Sequence, residues 1–105
     1  METSKTAPAN LELDTLQLKK ASLILRALNH KLRQDIIKFI HQNYRVTVSE
    51  IYKKMKLEQS VTSQHLGILR KSRCVHTERD GKFIFYSVNH KRLKEVQKFC
   101  SDLLS

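Results

Sequence analysis

The stretch that decides the fold is residues 47–71, TVSEIYKKMKLEQSVTSQHLGILRK, which carries two short apolar stripes at helical spacing. The first stripe consists of Val48, Ile51, Tyr52 and Met55. The second consists of Val61, Leu66 and Leu69, with Leu57 between the two. Because apolar residues three or four positions apart share one helical face, the stretch predicts two helices that pack together across a tight turn. Thr47 followed by Glu50 has the spacing of a capping box, which predicts where the first of these helices begins.

The second helix keeps a polar face once its apolar stripe is assigned to the core. This face consists of Gln59, Ser60, Thr62, Ser63, Gln64 and His65. Amide and hydroxyl side chains on such a helix can reach base edges and phosphates in a DNA major groove, so we predict that these residues read DNA. An ordinary αα-hairpin whose polar face meets only solvent has the same pattern. The stretch taken alone therefore leaves both interpretations open.

A basic hairpin follows the two helices. β-forming residues flank Asp80-Gly81, which predicts a two-residue turn between two strands. Three residues are expected on the core side of the hairpin: Val75, Ile84 and Tyr86. We predict that Arg79 and Lys82 at its tip contact phosphates, together with Arg70 and Lys71 at the end of the preceding helix. A hairpin tip that meets only solvent is the alternative.

Helices are predicted on both sides of this unit. The next helix upstream is expected to begin at an Asn29 cap and to expose Arg33. A first helix over residues 11–28 and a last helix from about Asn89 are apolar over a wide arc, which favours packing against a second copy of the chain. The predicted dimer contacts are Leu18, Ala21, Leu25, Leu93, Val96, Phe99, Cys100 and Leu103. Burial of the first helix within one chain is the alternative.

The composition restricts the class of protein. A chain of 105 residues has room for one domain, which we place at residues 11–105 after a disordered leader at residues 1–10. Twenty Lys and Arg against ten Asp and Glu give a net charge of +10, which favours nucleic acid over an acidic membrane or an acidic protein as the partner. Without an apolar run long enough to span a bilayer, the chain is expected in the cytoplasm.

The sequence contains no pattern of residues that indicates an enzyme. With two glycines in the whole chain, a glycine-rich phosphate loop is excluded. We find no nucleophile with a base and an orienting group at recognisable spacing, and we predict neither catalysis nor a cofactor. Cys74 and Cys100 are too far apart for a zinc-binding pair and are expected to be core thiols. A redox role for them is a weaker hypothesis, based on the position of Cys100 near the predicted dimer contacts.

The order and spacing of these elements resemble the ArsR-type winged-helix repressors of bacteria. Four parts carry the likeness: LRALNHKLRQDIIKFI at 25–40, TVSEIYKKMKLEQSVTSQHLGILRKSRCV at 47–75, RDGKFIFYSVN at 79–89, and the two terminal helices. Within the second, Ser60, Ser63, His65 and Leu66 fall on the pattern S-x-x-S-x-H-L. The resemblance covers residues 16–104. It implies a mainly α fold with a small β-hairpin, in the order α-α-α-α-β-β-α, and a homodimer that binds an inverted repeat and represses transcription until an inducer releases it.

The chain departs from the family pattern at the metal sites. Residues 47–52 have no cysteine where many metal-sensing members carry a thiolate site. The other common site would fall on Asn89, Lys91, Asp102 and Ser105, of which Asp102 alone is a good ligand. We therefore predict no metal site and leave the inducer, the operator and the choice between repression and activation open. A winged-helix module that binds protein or RNA without duplex selectivity is the alternative function.

Overall fold

The computed structural model describes residues 11–105, so the predicted leader lies outside the described part of the chain. The elements are α1 (Thr15–Leu28), α2 (Lys31–Asn43), β1 (Val46–Thr47), α3 (Val48–Met55), α4 (Gln59–Lys71), β2 (Val75–Asp80), β3 (Phe83–Val88) and α5 (His90–Leu104). The predicted order of five helices and a hairpin is confirmed, with the short strand β1 as an addition. No helix within residues 11–105 has the length and apolar character needed to cross a membrane.

The three strands form an antiparallel sheet in the order β1-β3-β2. In the hairpin, Val75 pairs with Val88 at the base and Asp80 pairs with Phe83 at the tip. On the other edge of β3, Val46 pairs with Tyr86. The strand β1 therefore joins the start of the helix-turn-helix to the hairpin, which fixes the position of one relative to the other.

The core lies between α2, α3, α4 and the base of the hairpin. Its buried members are Ile36, Ile40, Val46, Ile51, Leu66, Leu69, Cys74, Val75 and Val88. Three of them, Ile51, Leu66 and Leu69, come from the two stripes of residues 47–71, which confirms that α3 and α4 pack together. Leu93 at the start of α5 packs against the same core, so this predicted dimer residue contributes to the fold of one chain.

The turn between α3 and α4 is closed by main-chain geometry. The predicted capping box is present, since Glu50 donates its main-chain N–H to the Thr47 hydroxyl and its carboxylate accepts from the Thr47 main-chain N–H. At the other end of α3, Lys56 adopts a left-handed conformation with φ of 57°. Leu57 then donates its N–H to the Tyr52 carbonyl at 2.9 Å. This tight reversal sets α4 across the end of α3.

Three local predictions need correction. The first helix begins at Thr15, because Asp14 caps it by accepting from the N–H groups of Leu16 and Gln17. Asn29 ends α1 and does not cap α2, whose N-cap is His30. Arg33 is buried, because its guanidinium finds main-chain carbonyls at the end of α1.

The hairpin turn lies one residue later than predicted. Its two central residues are Gly81 and Lys82, because Asp80 and Phe83 still pair. Gly81 has a φ of 64°, the conformation that glycine adopts without steric cost. Val75 is buried and Tyr86 packs against the core as predicted, but Ile84 is exposed. Ile84 is on the expected side of the strand, yet the hairpin extends beyond the core at that point.

The terminal helices leave most of their apolar surface uncovered. In α1, which is described in full, Ala27 is the one buried residue, and α5 has none. Leu18 on α1 is 57% exposed and Leu103 on α5 is 67% exposed. A shallow groove of about 140 Å³ between the two helices is lined in part by Ala21, Leu25, Val96 and Phe99. Four of the predicted dimer residues therefore lie side by side on one surface of the folded chain.

Candidate nucleic-acid interface

Helix α4 presents a polar face to solvent and an apolar face to the core. Leu66 and Leu69 are buried, which fixes the rotation of the helix about its axis. Four of the predicted readers are then exposed: Gln59, Ser60, Ser63 and Gln64. These side chains carry hydroxyl and amide groups, which suit contacts with base edges and phosphates.

Thr62 does not belong to this face, contrary to the prediction. Its side chain has no exposed surface, and its hydroxyl donates to the Glu58 carbonyl at 2.9 Å. A threonine that bonds to the carbonyl four residues back satisfies its own polar group within the helix. Thr62 can therefore pack inward without an unpaired hydroxyl, and it is unavailable to DNA.

His65 is half-buried and faces the start of α2. Its Nδ1 lies 3.2 Å from Nη1 of Arg33, and its ring centroid is 4.9 Å from that of His30. Burial lowers the pKa of His65 below its usual value, and the charges of His30 and Arg33 lower the pKa further. The position of the ring at this helix junction differs from that of the exposed readers.

The predicted phosphate-binding cations are accessible. Arg70 and Lys71 lie at the end of α4, while Arg79 and Lys82 lie at the tip of the hairpin, and all four are exposed. None of them forms an ion pair with a carboxylate in residues 11–105. Lys82 lies over the Phe83 ring at 5.5 Å from its centroid. Four exposed cations thus occupy the two elements that a winged helix-turn-helix applies to DNA.

Arg45 supports the hairpin, a role that no local pattern of residues indicates. Its guanidinium stacks over the Phe85 ring at 3.8 Å and lies 3.7 Å from the Glu78 carboxylate and 3.6 Å from that of Asp80. These two carboxylates are the acidic groups of the hairpin. Arg45 therefore places a positive charge beside them, which reduces their repulsion of a phosphate backbone.

The cysteines and potential metal ligands are arranged as follows. Cys74 is fully buried, as predicted, and burial raises the pKa of its thiol although the Ser72 hydroxyl lies 3.2 Å from the sulfur. A buried thiol with a raised pKa is a weak nucleophile. Cys100 is half-buried on α5. Among residues 11–105, no three His, Cys, Asp or Glu side chains are grouped so as to hold a metal ion.

Comparison with known proteins decides the family. The sequence model of the bacterial regulatory proteins of the arsR family matches residues 19–77, which include α2, α3 and α4. The chain belongs to the ArsR family. Members of this family are DNA-binding transcriptional regulators, and this chain is a sequence-specific DNA-binding regulator with a winged helix-turn-helix.

Relatives along most of the chain agree with this assignment. The transcriptional activator HlyU of Vibrio cholerae is 31% identical over 92 residues, which are 88% of this chain and 84% of HlyU. The crystal structure of the transcriptional repressor PagR of Bacillus anthracis superposes with a TM-score of 0.66 at 26% identity, covering 83% of this chain and 99% of PagR. An ArsR-like regulator from Rhodococcus reaches a TM-score of 0.75 at 15% identity over 85% of this chain and 83% of its own, a likeness of fold alone.

Proposed function

We propose that this ArsR-family chain acts as a homodimer on an inverted-repeat operator and that it represses transcription. The observation that carries the proposal is the uncovered apolar surface of α1 and α5. The polar face of α4, which we propose is the reading helix, is by contrast fully formed within one chain. One chain offers a single reading helix, and a two-fold axis through the terminal helices would present two of them to successive major grooves. A bacterial regulator of duplex DNA of this kind would act in the cytoplasm.

The proposed contacts divide into two kinds. Gln59, Ser60, Ser63 and Gln64 face the major groove, and Gln64, in the middle of α4, is the proposed base reader because Gln can pair with adenine through two hydrogen bonds. Arg70, Lys71, Arg79 and Lys82 contact phosphates, which position the protein without reading sequence. Thr62 takes no part, and His65 acts from within the helix junction.

Repression is proposed in preference to activation on physical grounds alone, since the named relatives include one activator and one repressor. A protein bound across a promoter excludes polymerase through the surface that contacts DNA alone, and the described helices and sheet supply such a surface. Activation requires an additional contact with polymerase or with another DNA-bound protein. Transcription in vitro from a promoter that overlaps the bound site should fall as protein is added. A rise in transcript would establish activation.

Selection of bound sequences from random duplex DNA tests the proposal directly. The selected pool should converge on an inverted repeat whose half-sites are about 10 base pairs apart from centre to centre, one turn of the double helix. A pool that does not converge would favour the alternative of a module that binds protein or RNA. A pool that converges on a single unrepeated motif would contradict the dimer.

A further inference from the structure

The junction of α1, α2 and α4 contains a buried arginine whose role the DNA contacts do not explain. The Nε of Arg33 donates to the Ala27 carbonyl at 2.6 Å, and its Nη2 donates to the Arg26 carbonyl at 3.2 Å. Its third contact is Nδ1 of His65 at 3.2 Å. The guanidinium thus connects the last turn of α1, one of the proposed dimer helices, to the middle of the reading helix.

This contact fixes the protonation state of the histidine. A guanidinium is a permanent donor and has no acceptor, so His65 must accept at Nδ1 and carry its single proton on Nε2. A second proton would turn Nδ1 into a donor that faces another donor. The bond between α2 and α4 exists in the neutral state of His65 and is lost in the charged state.

The surroundings of His65 oppose its charge. The titratable and charged groups that face the ring are His30, the N-cap residue of α2, and Arg33 within α2. Nearby Lys31 pairs with Asp35 at 2.7 Å. Arg33 forms no ion pair in residues 11–105, and the neighbours of His65 on α4, Gln64 and Leu66, are uncharged. A protonated His65 would therefore place a second positive charge beside Arg33, with no carboxylate bonded to either side chain.

We propose that Arg33 is a positioning residue, which holds the reading helix against the end of α1 through the neutral imidazole of His65, and that protonation of His65 releases this hold and weakens DNA binding. The inference rests on the proposed function, because it assigns a control to the same reading helix. The direction of the effect is distinctive. If His65 contacted a phosphate, acid would strengthen DNA binding, because the ring would gain a positive charge. Because His65 instead holds Arg33, acid is expected to weaken DNA binding.

The test compares the dissociation constant for the selected operator at pH 7.5 and pH 5.5, at constant ionic strength, by fluorescence anisotropy. His65→Asn keeps an acceptor oxygen near the Nδ1 position and cannot take up a proton in this range. His41→Asn is the matched control, because it removes one ring of the other imidazole pair, His41 and His90, whose centroids are 5.1 Å apart.

Between pH 7.5 and pH 5.5, the dissociation constant should rise in the wild type and in His41→Asn by a factor roughly three to ten times larger than the factor for His65→Asn. One net hydrogen bond contributes a difference of this size. Arg33→Lys keeps the charge but loses the planar fork, so it should bind less tightly at pH 7.5 and show the flatter profile of His65→Asn. Equal pH profiles in the wild type and His65→Asn would overturn the proposal.

A measurement on the free protein separates this inference from the proposed function. The ¹⁵N shifts of the His65 ring should show an unprotonated Nδ1 and a protonated Nε2 at pH 7.5, and this pattern should persist whether or not DNA is bound. The opposite tautomer would overturn the inference even if the variants fail to fold. Failure of the wild type to select any duplex at pH 7.5 would instead overturn the proposed function and leave the tautomer result to decide the contact.

Discussion

The helix-turn-helix and the terminal helices differ in how much apolar surface one chain covers. In α3 and α4, the side chains of Ile51, Leu66 and Leu69 are almost completely removed from water. On α1 and α5, Leu18 and Leu103 remain more than half exposed. Burying a leucine side chain stabilises a protein by roughly 1.5–3 kcal/mol, so the second region leaves a large gain unrealised in one chain. One chain covers the apolar surface of the first region by itself, whereas the second is the surface that we propose a partner copy covers.

The largest effect is expected in the covered region. Leu69→Ala should lower the free energy of unfolding by about 2–5 kcal/mol, because it removes a fully buried side chain and leaves a cavity in the core. Urea denaturation followed by circular dichroism measures this change. Ile68→Ala, at an exposed position next in the same helix, is the control and should cost less than about 1 kcal/mol. Similar losses in both variants would contradict the described rotation of α4.

A charge in the uncovered region should affect assembly and leave the fold intact. Leu103→Glu places a carboxylate in the proposed dimer contact, where burial without a partner costs several kcal/mol, so the dimer dissociation constant should rise by about 100-fold or more. Sedimentation equilibrium measures the association, and circular dichroism checks the helix content. Lys94→Glu, nine residues before Leu103, puts the same group on the opposite, exposed side of α5 and should leave the dimer unchanged. A Leu103→Glu variant that remains dimeric would place the contact elsewhere.

Within the DNA interface, the reading helix should differ from the hairpin. Gln64→Ala should reduce discrimination between the selected operator and its base-substituted versions by about 1–3 kcal/mol, because a side chain that reads a base edge is lost. Competition binding with a panel of single-base variants measures this quantity. If the variant loses the same affinity for selected and random duplexes, Gln64 contacts the backbone and reads no base.

The smallest effect is expected at the tip of the hairpin. Lys82→Ala should weaken binding to all duplexes alike and should reduce the slope of log affinity against log salt by about one. Titration of operator and random duplex between 50 and 200 mM salt, as approximate limits, gives both slopes. A change in sequence preference without a change in the salt slope would show that Lys82 contacts base edges and not phosphates.

Local patterns in the sequence predict much of the fold because they have local causes. The stripes of α3 and α4 follow from the helical period, and Thr47 with Glu50 forms a capping box from three-residue spacing alone. The strand β1 escapes prediction because its two residues are extended only by pairing with β3. The predicted position of the hairpin turn is wrong by one residue, because residues 80–82 allow more than one pairing register. The contacts of β3 with the rest of the sheet select one of these registers.

The site was harder to predict than the fold, and the two clearest errors have physical reasons. Thr62 has a side chain typical of a DNA-facing residue, but it lies four residues before Leu66 and seven before Leu69, so the helical period places it on the buried stripe, where its hydroxyl bonds within its own helix. Arg33 looks like a solvated cation, yet it bonds to main-chain carbonyls and to a histidine 32 residues away. Arg45 was missed for the same reason, since its partners lie on strands that follow much later in the chain.

The stoichiometry of the protein–DNA complex decides whether the terminal helices pair two reading helices across one operator. Native mass spectrometry of the wild type with the selected full operator should show two chains per duplex with no single-chain complex, while a half-site duplex should bind far more weakly. With Leu103→Glu, the full operator should show single-chain complexes. A wild-type chain that occupies one half-site alone, as tightly as it occupies the full operator, would contradict the account.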